Sequence, residues 1–146
     1  MKVLALILLC LLIAVNEARV FEECELVALL KEQNMDGYYG YSLGDWICMA
    51  SYESRYNSRA VGMNRNGSRD YGIFQINSRW WCDNGEGRTA NGCNTNCTSF
   101  EDDDISDDIA CAKRIVRDPN GMNAWVAWKR YCKGRDLSKL TEGCSD

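Results

Sequence analysis

Histidine is absent from the 146-residue chain, and proline occurs once. Without histidine there is no Ser-His or Cys-His catalytic pair and no His-ligated zinc. The longest apolar run, Val3 to Val15, has 13 residues, short of the roughly 20 that a helix needs to cross a bilayer. Basic excess is missing too: 17 Lys and Arg stand against 21 Asp and Glu, a formal net charge of −4. That balance argues against a general nucleic-acid binder. There are no internal repeats and no low-complexity linker. What remains is a chain of globular composition, 46% hydrophobic and 26% charged, long enough for one domain with a core of its own.

The short apolar run follows Lys2 and precedes Asn16-Glu17-Ala18. That pattern is the core of a secretory signal peptide, with cleavage expected after Ala18, so that residues 1–18 are removed and 19–146 form the mature, extracellular protein with no membrane anchor. Removal takes Cys10 with it. Eight of nine cysteines are left: Cys24, Cys48, Cys82, Cys93, Cys97, Cys111, Cys132 and Cys144. An even count in a secreted domain reads as four disulfides, and spacing alone leaves about a hundred possible pairings. Cys93 and Cys97 are close, but no second close pair exists to complete a zinc site.

Along the mature chain, Leu26, Leu29 and Leu30 mark one face of a helix over 21–33. Gly37, Gly40 and Gly44 punctuate a loop. Ser42, with Asp45 three residues on, starts a second helix whose stripe is Leu43, Trp46, Ile47 and Ala50, and Glu53 falls at its end. Asn66-Gly67 is a hairpin signal, and Tyr71 to Ile76 reads as a strand. Residues 83–96 read as loop. Helical pattern returns from Ser106 to Val116 and stops before Pro119. A last helical turn or two carries Met122, Trp125 and Trp128. Helices, a small β region and helices again make an α+β arrangement with a cleft between two lobes.

Two carboxylates have candidate catalytic positions. Glu53 sits at a helix end among apolar and aromatic neighbours, whereas Asp70 lies on the polar hairpin. Hydrolysis of a glycosidic bond needs such unlike environments. One carboxyl must stay protonated near neutral pH to act as acid, which desolvation favours. The other must stay ionised, which hydrogen bonding favours.

The stretch Asp70-Tyr71-Gly72-Ile73-Phe74-Gln75-Ile76-Asn77-Ser78-Arg79-Trp80-Trp81-Cys82 closely resembles the signature of the chicken-type (c-type) lysozymes. So do Cys24-Glu25-Leu26, Gly40-Tyr41-Ser42-Leu43-Gly44 and Gly121-Met122-Asn123-Ala124-Trp125-Val126-Ala127-Trp128. The resemblance covers the whole mature chain. It implies a helical lobe with a small β lobe, about 57–103, inserted in it. It implies Glu53 as general acid and Asp70 as nucleophile or ion stabiliser. Trp125 would desolvate the acid and Asn64 would hydrogen-bond the aspartate. Gln75, Asn77, Trp80, Trp81, Asp118 and Ala124 match positions that line the saccharide cleft. The implied disulfides are Cys24–Cys144, Cys48–Cys132, Cys82–Cys97 and Cys93–Cys111. Core packing is the reading for Trp46 and Trp128, but not for Trp80 and Trp81. Gly62 departs from the family, where many relatives have asparagine, and the segment between Cys82 and Cys93 is one residue shorter than in common members.

Residues 101 to 108 hold six acids, Glu101, Asp102, Asp103, Asp104, Asp107 and Asp108. A helix dipole accounts for Asp107 and Asp108 only. The segment is not an EF-hand, because it lacks the glycine and the final glutamate of that loop. Its spacing resembles the calcium elbow of the α-lactalbumins and the calcium-binding lysozymes. That likeness implies one structural calcium ion, held by the carboxylates of Asp102, Asp107 and Asp108 and the backbone carbonyls of Ser99 and Asp104.

The expected activity is therefore that of a secreted, monomeric, retaining glycoside hydrolase needing no cofactor for catalysis. Its substrate would be the β-1,4 linkage between N-acetylmuramic acid and N-acetylglucosamine in bacterial peptidoglycan, or a chitooligosaccharide. The alternative is a non-catalytic regulator like α-lactalbumin, which shares the fold and the calcium loop but lacks the acidic pair kept here as Glu53 and Asp70. The sequons Asn66-Gly67-Ser68 and Asn96-Cys97-Thr98 are expected to stay unmodified, the first because a glycan would obstruct the cleft and the second because of its cysteine.

Overall fold

A computed structural model describes residues 19–144; the apolar segment, its cleavage point and Cys10 lie outside the described residues. The elements in chain order are α1 (Glu23–Glu32), α2 (Leu43–Ser54), β1 (Val61–Met63), β2 (Arg69–Tyr71), β3 (Ile76–Asn77), α3 (Ser106–Val116), α4 (Val126–Tyr131) and α5 (Lys139–Glu142). Short 3-10 turns stand at Tyr38–Gly40, Cys97–Phe100 and Gly121–Ala124. The β lobe is one antiparallel sheet in the order β1-β2-β3. Among the described residues, no helix is long and apolar enough to cross a membrane.

The second helix begins where its sequence says. Ser42 Oγ accepts from the Asp45 backbone N–H at 3.2 Å, and Asp45 Oδ2 accepts from the Ser42 N–H at 2.9 Å, so two otherwise orphaned donors are satisfied. Its apolar stripe buries Leu43, Trp46, Ile47 and Ala50. Around Trp46 the core continues through Phe74, Phe100, Ile105, Met122, Trp125 and Trp128, all buried. Trp46 meets Trp125 edge-on at 6.1 Å and Phe74 at 6.5 Å. Four disulfides join Cys24 to Cys144, Cys48 to Cys132, Cys82 to Cys97 and Cys93 to Cys111.

Three readings change. Tyr71 to Ile76 is not one strand. Gly72 takes φ +77° and Gln75 φ +49°, and the Gln75 N–H donates to the Gly72 carbonyl at 3.0 Å. The chain reverses there, and the apolar run ends one strand and begins the next. Gly44 lies inside α2, not in a loop. It must be small because a Cβ would stand 2.8 Å from Leu137 Cβ. The third change is in the C-terminal helical pattern, which divides at Trp125 (φ −97°, ψ 111°) into the 3-10 turn carrying Met122 and the helix carrying Trp128. A further short helix, α5, follows.

Two hydrogen bonds fix the lobes against each other where the cleft opens. Ser54 Oγ at the end of α2 donates to the Ile73 carbonyl at 2.6 Å. Trp125 Nε1 donates to the Phe74 carbonyl at 2.7 Å. Both acceptors belong to the turn between β2 and β3, so the helical lobe holds that turn from two sides.

Candidate active site

Sheet register sets the polar wall of the cleft. Asp70 on β2 pairs with Gly62 on β1 and with Asn77 on β3. Side chains two apart on a strand share a face, so Asn64 just beyond β1 and Ser68 just before β2 join Asp70 and Asn77 on one surface. Asn77 Nδ2 donates to Asp70 Oδ1 at 2.8 Å, and Asn64 Nδ2 donates to Asp70 Oδ2 at 3.1 Å. Each carboxylate oxygen thus receives an amide N–H.

Glu53 meets different surroundings. It stands in the last turn of α2, half-buried against the opposite wall. Desolvation first, and then the negative charge of Asp70, push its carboxyl up to about 7, against a smaller opposing effect from the Ala127 backbone N–H. Trp125, buried, lines the same cleft. A protonated carboxylic acid is therefore the resting form below neutrality.

The cleft measures about 1040 Å³. It brings together Glu53, Asp70, Asn64, Gln75, Asn77, Trp80, Trp81, Asp118, Ala124 and Trp125. Trp80 is 55% exposed, with the Arg79 guanidinium 5.3 Å from its ring. Arg114 lies 5.7 Å from the Trp81 ring and donates to Asp118 Oδ1 at 2.8 Å. Gln75 commits its Nε2 to the Ala60 and Gly72 carbonyls, both at 3.0 Å. The position of Gly62 matters here: a Cβ on it would stand 2.9 Å from Gln75 Oε1 and 4.0 Å from Asp70 Oδ2. Arg65, Arg114, Asn120 and Val126 also line the cleft and were not singled out from sequence; Asn66 and Ser68, which line it too, were read there only as a hairpin signal and a sequon beside the cleft. Beyond that, their only sequence signal is parity with Asp70 or proximity to the tryptophans.

The acidic loop lies behind this wall. Asp108 is fully buried, and neither of its carboxylate oxygens has a hydrogen-bond partner. Burial, with the charges of Asp102, Asp107 and Asp104, pushes its carboxyl up to about 8. Burial and neighbouring acids also raise Asp102. Two other acids are engaged elsewhere. Asp103 accepts from Arg59 Nε at 3.0 Å and from Ser58 Oγ at 3.2 Å. Asp104 Oδ1 accepts from the Ser106 hydroxyl and N–H at 2.7 and 3.0 Å. Ser99 lies in the 3-10 turn that precedes them, its Oγ 3.1 Å from Thr95 Oγ1. Among the described residues, no three His, Cys, Asp or Glu side chains gather closely enough to hold a metal ion. The donor chemistry still fits a hard cation: an orphaned buried carboxylate demands positive charge.

Residues 19–144 match the model of the C-type lysozyme/alpha-lactalbumin family. The milk isozyme of lysozyme C from Canis lupus familiaris is 58% identical over 128 residues, 87% of this chain and 99% of that protein. Lysozyme C from Scophthalmus maximus is 56% identical over 138 residues, 94% of this chain and 96% of its own length. The crystal structure of recombinant wild-type canine milk lysozyme in its apo-type superposes with a TM-score of 0.85 at 56% identity, covering 88% of this chain and all of that one.

Proposed function

The chain belongs to the C-type lysozyme/alpha-lactalbumin family, and on that premise we propose a bacteriolytic enzyme in which Glu53 and Asp70 carry the chemistry. It is a lysozyme, a glycoside hydrolase. The observation that carries the residue assignment is the contrast between two carboxyls in one cleft, Glu53 desolvated and Asp70 held by two amide donors. Lysozyme is itself the type case of that division of labour.

Glu53 delivers its proton to the glycosidic oxygen as the bond to the anomeric carbon breaks. Asp70, ionised on the opposite wall, meets the developing positive charge and takes the sugar as a glycosyl ester. Glu53, now a carboxylate, then draws a proton from water, which releases the sugar with its configuration retained. Trp80 and Trp81 offer faces on which sugar rings stack. Asn64, Gln75, Asn77, Asp118 and Ala124 line the path of a polysaccharide chain. The substrate is the β-1,4 bond between N-acetylmuramic acid and N-acetylglucosamine in peptidoglycan. Residues 1–18 serve as the secretion signal, and 19–146 act as one extracellular, monomeric domain.

The alternative, a non-catalytic regulator of the α-lactalbumin kind, finds no support in this cleft, because the acidic pair is present and differentiated. Lysis of Gram-positive cell walls separates the two. Glu53→Gln should lower the rate by at least about a hundredfold, the usual contribution of a general acid. Equal lysis by wild type and variant would remove Glu53 from its role.

The acidic loop binds one structural calcium ion, with Asp102, Asp107 and Asp108 giving carboxylates and Ser99 and Asp104 giving carbonyls. Its contribution is charge neutralisation at a buried site, and no catalytic step passes through it. The orphaned oxygens of Asp108 support this reading.

A further inference from the structure

Asn64 and Asn77 can stabilise an ionised Asp70 only if their amide groups present nitrogen, not oxygen, to it. An amide is nearly symmetric in shape, so something must set its polarity. The hydrogen bonds around Ser68 supply a cause. Its hydroxyl has one proton and two acceptor lone pairs, and all three are used. The proton goes to Asn66 Oδ1 at 2.6 Å. The lone pairs receive Asn64 Nδ2 at 3.1 Å and Asn77 Nδ2 at 3.0 Å.

The direction of the chain of bonds starts at the hairpin tip. Asn66 Oδ1 also accepts the Ser68 backbone N–H at 2.9 Å. A backbone N–H can only donate, so it fixes the oxygen end of the Asn66 amide at this place. That end compels the Ser68 hydroxyl to donate, which leaves Ser68 Oγ as acceptor toward both asparagines. Each asparagine nitrogen has two protons: one goes to Ser68 and the other to Asp70.

We propose that Ser68 is a positioning residue that, oriented by Asn66, sets the amide polarity of Asn64 toward Asp70; the polarity of Asn77 is fixed separately, by the Arg79 backbone N–H donating to its Oδ1 at 2.9 Å. Its hydroxyl bonds the two asparagines and not Asp70 itself, and it acts through the Asn64 amide. The inference rests on the reading of Asp70 as the ionised partner of Glu53. Ser68 Oγ does for this site what a second row of ligands does for a metal: it decides how the first row faces. Preoriented donors of this kind matter most where charge changes during reaction, so the effect belongs in kcat more than in KM.

The experiment compares kcat and KM of wild type, Ser68→Ala, Ser68→Thr and Asn66→Ala on a soluble chitooligosaccharide, with near-UV circular dichroism and melting temperature as fold controls. Ser68→Ala should lower kcat by about tenfold, the equivalent of weakening one hydrogen bond to a charged group. Its KM should stay within about twofold. Ser68→Thr keeps the hydroxyl, so it should recover most of the kcat that Ser68→Ala loses. Asn66→Ala should shift in the direction of Ser68→Ala by a smaller amount. An unchanged kcat in Ser68→Ala would overturn the proposal, as would equal losses in Ser68→Ala and Ser68→Thr. If Ser68→Ala does not fold, Asn66→Ala decides by the same two readouts. If wild type and Glu53→Gln act alike, the reading of the site fails instead, and the two failures are distinct.

Discussion

Glu53 is held in a place that disfavours its charge, and that burden has a measurable thermodynamic side. Its carboxyl titrates near 7 in the folded protein because of burial, and then because of Asp70, whereas an unfolded chain would release the proton near 4.5. Between those values the folded state binds more protons than the unfolded one, so wild-type stability falls as pH rises through the window. Glutamine does not titrate. Glu53→Gln should therefore match the wild type near pH 4 and exceed it above pH 7, by about 2 kcal/mol after allowance for the exposed part of the side chain. Urea unfolding at several pH values reads this directly; a pH-independent difference would refute it. The sequence puts Glu53 at a helix end and Asp70 on a polar hairpin, and the structure brings both to one cleft; position alone does not mark them as a pair, and the pairing was legible only through the resemblance to the c-type lysozymes. Ser68 was not legible. Its part depends on Asn64, Ser68, Asp70 and Asn77 sharing one face, and that follows only from the pairing of three strands.

The turn between β2 and β3 is the element on which both lobes converge. Its backbone carries the carbonyls that receive Ser54 and Trp125, and Gly72 opens it at φ +77°. A Cβ there would collide with the Phe100 carbonyl oxygen and stand 2.5 Å from Asp108 Oδ2. Gly72→Ala should thus cost roughly 3 kcal/mol or more, from a left-handed φ and a clash with backbone that cannot step aside. Gly62, also in the sheet, makes the contrast. Its backbone is not left-handed, and a Cβ would press only on Gln75 Oε1, the far end of a flexible side chain. Gly62→Ala should stay within about 1 kcal/mol of wild type. Chemical denaturation of the two variants checks the pair, and equal losses would show that the turn is not the constraint. Periodicity could not foresee this turn. Ile73, Phe74 and Ile76 are apolar enough to read as a continuing strand, and nothing local announces that Gln75 adopts φ +49°. The capping box of α2 was legible because its two bonds lie within four residues. The four-residue α5 is too short to show any period.

Over the whole molecule, charge is concentrated in one place. Without residues 1–18 the chain has 16 basic and 20 acidic residues, and setting aside the six acids of 101–108 leaves 16 against 14. The net −4 belongs to one loop on a mildly basic body. That loop faces the core through Asp108, whose two oxygens lack any donor. Such a carboxylate weakens the metal-free fold, and a bound calcium would turn the same group into a stabilising one by favouring the folded state through mass action. The two situations have opposite signs, and one substitution separates them. With EDTA near neutral pH, Asp108→Asn should melt above the wild type, because the buried Asp108 carboxyl must take up a proton to fold without an ion, whereas an amide need not. In millimolar calcium the order should reverse, with the wild type melting higher by about 5 °C or more, since about 1 kcal/mol moves a domain of this size by several degrees. Calorimetric melts of both proteins in the two buffers test it. A wild-type melt unchanged by EDTA would remove calcium from the loop, and a variant below the wild type in both buffers would mean that Asp108 supports the fold without an ion.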